Sequence, residues 1–214
     1  MNSRFQTCRL AGLAVSSNCV RSSHLEQFGK HNLRNLTGCP LQYDSGVIVV
    51  GIDPGLANLG IGVVREEGKT PKFVHCELVK TSSSLEMPQR LAMLYRVVRG
   101  VLEVHKPEAM AIESQYFHDR QAANAFKIGE AAGVILLAAA QLEVPVFEYG
   151  PMAVKQAIVG TGGASKEQVM YMVRATLALP KTPDSSHAAD ALALAMTHLA
   201  SRRVNQYAQV LRKA

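Results

Sequence analysis

The stretch VIVVGIDPGLANLGIGVV, residues 47–64, sets two apolar runs on either side of a single carboxylate, Asp53. VIVVGID is short and β-branched and is closed by Pro54-Gly55, so it reads as a buried strand ending in a turn. LGIGVVRE (59–66) and KFVHCELVK (72–80) follow at short spacing and predict an antiparallel meander. A helix is predicted over 88–105, where Leu91, Leu94, Val98, Val101 and Leu102 share one face and Lys106-Pro107 ends the run. EAMAIE (108–113) reads as a fourth strand, 121–142 as an Ala-rich helix and VPVFEY (144–149) as a fifth strand. Helices over 152–160 and 165–179 are separated by TGGA, and a last helix spans 185–203 with Ser185 or Ser186 as its N-cap. The order βββαβαβααα predicts an α/β fold. Its five-stranded mixed sheet has three hairpin-linked antiparallel strands and then parallel strands, with helices packed on it.

The chain has 214 residues and a net charge of +6. Half of that excess lies in residues 1–46, which hold five basic and two acidic residues, so the rest of the chain is only weakly basic. A basic balance favours a polyanionic partner. Residues 1–46 are polar, rich in Ser and Asn, and without a sustained period. LAGLAV is too short for the apolar core of a signal peptide, while the Arg and Ser content is compatible with a transit peptide. The expectation is a disordered or non-native extension, with Val47 as a possible true start, followed by a body over 47–203 and a C-terminal tail over 204–214. Cys8, Cys19, Cys39 and Cys76 have no metal-binding spacing, and only one lies in the body, which points to a reducing, cytoplasmic compartment. No apolar run approaches the ~18 residues of a membrane span, so no membrane partner is expected.

Asp53 closes the first strand and Glu113 the fourth, and ligands of open α/β sheets bind at that edge. If these strands are neighbours, the two carboxylates face each other. His187 and Asp190 are three apart at the start of the last helix and share a face. Clustered carboxylates repel unless a cation neutralises them, and hard oxygen donors suit magnesium or manganese. Two such ions about 4 Å apart form a clamp for phosphoryl displacement. Read singly, each feature has an ordinary meaning: Asp-Pro-Gly as a turn, Glu113 as a strand-end charge, His-Ala-Ala-Asp as a helix first turn. Their common placement at element edges favours the site.

GIDPGLANLGIGVV, AIESQYF, VFEYGPMAVKQAIVGTGGASKEQV and HAADALALAMTHL, in this order and spacing, resemble the RuvC family of Holliday junction resolvases from Val47 to Leu199. The resemblance implies a ribonuclease H-like (RNase H-like) fold and symmetric, magnesium-dependent nicking of four-way DNA junctions by a homodimer, with two Mg2+ per subunit. It implies metal-binding roles for Asp53, Glu113, His187 and Asp190. It gives Lys155 and Lys166 roles in catalysis and DNA binding, and it makes Tyr116 or Phe117 the residue that stacks on a base. Read alone, the two lysines are solvated helix positions and the two aromatics belong to a core or loop. Many members have Asp where this chain has His187, a softer ligand that favours use of Mn2+. SQYFHDRQAANAF is one residue longer than the usual pattern, which leaves open which aromatic stacks. The helix 121–142 is a candidate dimer interface, with packing on its own sheet the alternative. Contact with the branch-migration proteins RuvA and RuvB stays open. An actin-like ATPase or sugar kinase shares the strand–Asp–x–Gly opening but needs two such domains. A non-catalytic junction binder and an RNA-directed nuclease are the other rivals.

Overall fold

The computed structural model describes residues 46–114 and 122–213. Its elements are β1 (Val47–Asp53), β2 (Asn58–Glu67), β3 (Thr70–Lys80), α1 (Met87–His105), β4 (Ala109–Glu113), α2 (Ala122–Gln141), β5 (Val146–Tyr149), α3 (Pro151–Val159), α4 (Lys166–Thr176) and α5 (Ser186–Lys213). The order is the one the sequence predicts; most boundaries shift by one or two residues, and differences at β5, α4 and α5 have local reasons. β5 starts at Val146, because Pro145 has no N–H for a ladder and contributes only its carbonyl, which accepts from the Met110 N–H. α4 stops at Thr176, not near 179, since Ala178 takes a left-handed φ of 50° and Pro180 follows. α5 is the clearest correction. It runs on to Lys213 through the stretch expected to be a tail, because VNQYAQVLRK contains no glycine or proline to stop it.

The sheet order is β3-β2-β1-β4-β5. β1 pairs antiparallel with β2 and parallel with β4, in a register that sets Ile52 beside Ile112, so Asp53 and Glu113 end adjacent strands at the same edge. Strand alternation then sorts the side chains. Ile48, Val50 and Ile52 of β1 enter the core under α1 and α2, whereas Val49, with Ala111 of β4, enters the core under α3, α4 and α5. Asp53 and Glu113 have the parity of Val49 and Ala111, so both acids fall on the α5 face. Val49, Val50, Ile52, Leu59 and Ile61 are wholly buried, and burying a side chain of this size contributes ~1.5–3 kcal/mol. The strand ends that hold the acids are therefore firmly anchored.

α5 lies on β1 and β2 at unusually close range. A Cβ built on Gly60 would stand 2.0 Å from the His187 carbonyl oxygen, and one on Gly51 would stand 1.9 Å from that of Ala191. These glycines face α5 and leave a flat strip along the strands. Ala188, Ala189, Ala191, Ala193 and Ala195 of α5 are correspondingly small and buried. The result is a helix whose first turn is pressed against the strand end at Asp53.

Candidate active site

Asp53, Glu113, His187, Asp190 and Lys166 come together at the carboxyl edge of the sheet. Asp53 is only 8% exposed. Its Oδ2 is 2.6 Å from His187 Nδ1, a contact made possible by the close seating of the first turn of α5. Asp53 and Glu113 lie within hydrogen-bonding reach of each other at the ends of their strands. Asp190, one turn into α5, accepts an ion pair from Lys166 Nζ at 2.9 Å. α4 delivers that lysine. Ser165 caps the helix by accepting from the Gln168 N–H, while Gln168 Oε1 accepts from the Ser165 N–H at 2.8 Å, and Lys166 begins the first turn.

The electrostatics follow from this crowding. Burial pushes the Glu113 carboxyl up, the negative charge of Asp53 and the hydrogen bond to it push it further, and it titrates at about 7. Burial likewise raises Asp53, against the opposing pull of its His187 contact. The Asp190 contact holds Lys166 above the ordinary ammonium range, and its charge also favours ionised Asp53 and Glu113. Two adjacent buried acids whose charges oppose each other are a site short of positive charge.

This donor set fits a hard divalent cation: carboxylate oxygens from two strand ends and a helix, already crowded enough to bind a proton near neutrality. Among the described residues no three His, Cys, Asp or Glu side chains enclose a single ion. Instead His187 and Lys166 take up the carboxylate oxygens of Asp53 and Asp190. Lys155 is not part of this group. It sits half-buried on α3 and forms no ion pair among the described residues. Tyr116 and Phe117 lie outside the described residues. A cleft of about 310 Å³ between β5 and α5 lies at the opposite end of the strands, near Val47 and Glu108, and holds none of the four metal-site candidates. Sequence reading missed Gly60, whose signal was the alternation Gly60-Ile61-Gly62 that leaves one strand face bare. It also missed the direct pairing of Lys166 with Asp190.

Comparison with known proteins agrees with this geometry. The family described as "Crossover junction endodeoxyribonuclease RuvC" matches residues 49–198. The RuvC of Thermus thermophilus is 48% identical over 155 residues, covering 71% of this chain and 93% of that protein. The solved structure of T. thermophilus RuvC in complex with Holliday junction substrate superposes with a TM-score of 0.71 at 46% identity, over 74% of this chain and 96% of that one. The yeast mitochondrial Holliday junction resolvase Ydc2, at 12% identity and a TM-score of 0.57 over 77% of this chain and 83% of its own, shares the fold. The fold is RNase H-like, and the chain belongs to the RuvC family of crossover junction endodeoxyribonucleases.

Proposed function

We propose that this chain resolves four-way DNA junctions by divalent-metal-dependent hydrolysis of phosphodiester bonds, using Asp53, Glu113, Asp190 and His187 as the metal-binding set. The observation that carries the assignment is the acidic cluster itself. Asp53 and Glu113 end neighbouring strands side by side, and the charge of Asp190, one turn into α5, acts on both. Asp53, Glu113, Asp190 and His187 would hold Mg2+ or Mn2+ there, and the cation would supply polarisation of the scissile phosphoryl group and a lowered pKa for bound water. Asp53, the most buried of the acids, fixes the centre, with Glu113 and Asp190 on either side. His187 meets the Asp53 carboxylate through Nδ1 at 2.6 Å, which orients that carboxylate and leaves Nε2 as the nitrogen that would ligate the cation. Lys166 can exchange Asp190 for the phosphate as negative charge develops. Lys155, on α3, makes phosphate contacts along the bound arm.

A second copy completes the assembly. On α2 the exposed Phe126 and Leu137, and Gly129 and Gly133 with open space above them, make one stripe at spacings of three and four. Packing that stripe against its two-fold mate gives two acidic clusters for two strands of a two-fold junction. The activity resides in residues 47–203, which contain the full cluster. Cleavage of a synthetic four-way junction in Mg2+ or Mn2+, against EDTA and against linear duplex and RNA, tests the function. Symmetric nicks confined to the junction and to the metal-containing reactions support it.

A further inference from the structure

The turn that leads away from Asp53 is held from the face of the sheet opposite the acidic cluster. Thr81, the residue after β3, is 7% exposed, and Leu56 beside it is 6% exposed and packs in the core under α1 and α2. The Thr81 hydroxyl donates to the Leu56 carbonyl oxygen at 2.6 Å, and the Thr81 backbone N–H donates to the Ala57 carbonyl oxygen at 3.1 Å. Arg90 of α1 donates through Nε to the same hydroxyl oxygen at 2.8 Å. A guanidinium can only donate, so Arg90 occupies the hydroxyl as acceptor and leaves its one hydrogen for Leu56. Arg90 thus orients Thr81, and Thr81 secures two consecutive carbonyls of the loop between β1 and β2.

That loop is short. Asp53 is followed by Pro54, which has a fixed φ and no N–H, then Gly55, Leu56 and Ala57 before β2 begins at Asn58. Few torsions separate the secured carbonyls from the Asp53 backbone. On the other face His187 holds the carboxylate itself. We infer that Thr81 and Arg90 are positioning residues for the reaction: they fix the loop after β1 and through it the direction of the Asp53 carboxylate, without touching substrate or metal. The inference rests on the assignment of Asp53 to the metal-binding set. Preorganisation of this kind matters because a displacement of about 1 Å can cost on the order of 10²-fold in rate.

Thr81→Val keeps the shape and removes the hydroxyl, Thr81→Ser keeps the hydroxyl, and Arg90→Met removes the orienting donor from a half-buried position. Each is assayed for kcat and KM on a synthetic four-way junction, for junction binding in EDTA, and for melting temperature, with Asp53→Asn in parallel. Thr81→Val is expected to lower kcat about tenfold or more while KM and EDTA binding stay within about twofold. Thr81→Ser is expected to retain most of the rate, and Arg90→Met to lower kcat in the same direction. A double variant no slower than Thr81→Val alone would place both residues on one relay. Unchanged kcat in Thr81→Val, or equal losses in Thr81→Ser and Thr81→Val, overturns the relay. If Thr81→Val does not fold, full kcat in Arg90→Met overturns it. Loss in Asp53→Asn beside full activity in Thr81→Val and Arg90→Met refutes the relay alone, whereas full activity in Asp53→Asn refutes the site assignment and the relay with it.

Discussion

Glu113 titrates at about 7 because it is buried beside a second carboxylate. In the unfolded chain the same group titrates near 4.5. Between these values the folded protein binds more protons than the unfolded one, so stability is greatest below the lower value and falls as pH rises toward the higher. Above that range the folded state carries the full repulsion between Asp53 and Glu113, which behave as a coupled pair. Glu113→Gln removes that repulsion. In EDTA it is expected to raise the melting temperature by several degrees at pH 8 and to change it little at pH 4, while abolishing cleavage in Mg2+. A melting series against pH for the two proteins checks this, and an equal effect at both pH values would refute it. Asp53 and Glu113 were legible in the sequence because each closes an apolar strand, where an unpaired charge is costly. Thr81 and Arg90 were not, because a hydroxyl bound to a backbone carbonyl 25 residues away leaves no pattern in composition or spacing. Lys155 and Lys166 looked alike in sequence; only the start of α4 opposite α5 separates the lysine that reaches Asp190 from the one that does not.

At the scale of elements, the site depends on how closely α5 rests on β2. Gly60→Ala would place a methyl group 2.0 Å from the His187 carbonyl oxygen, so α5 must move or the strand must bend. Overpacking of this kind costs about 1–3 kcal/mol. The expected outcome is a lower melting temperature together with a larger fall in cleavage than in junction binding, because His187 and Asp190 ride on the displaced turn. Wild-type cleavage in a stably folded Gly60→Ala protein would show that the close seating is not needed. The element order and the mixed character of the sheet were legible from three hairpin-linked runs followed by alternating helices and strands, whereas the pairing of β1 with β4 stood only as a condition. The length of α5 was not, since the sequence from Val204 onward is polar enough to read as a tail and yet contains nothing that breaks a helix. Conversely α4 was read too long, because Leu177 and Leu179 continue the apolar pattern after the backbone has already turned at Ala178.

For the whole molecule, the described residues supply one acidic cluster, and the proposed symmetric resolution takes the second from the other copy of the proposed dimer. The stripe on α2 gives a direct test: Leu137, 50% exposed, can become Glu with little effect on the folded monomer. Leu137→Glu is expected to shift the sedimentation coefficient from dimer to monomer at micromolar concentration and to replace paired nicks by single ones, with the melting temperature nearly unchanged. A Leu137→Glu protein that remains dimeric would move the interface elsewhere. The carboxylate ending β1 is proposed to serve catalysis and not junction recognition. Asp53→Asn separates the two roles, measured by junction binding in EDTA and by cleavage of the same synthetic four-way junction in Mg2+. The predicted result is binding within about threefold of wild type and cleavage reduced by at least on the order of 10³-fold, as removal of a key electrostatic group at a reaction centre produces. Cleavage at the wild-type rate, or loss of binding in parallel with loss of cleavage, would contradict it.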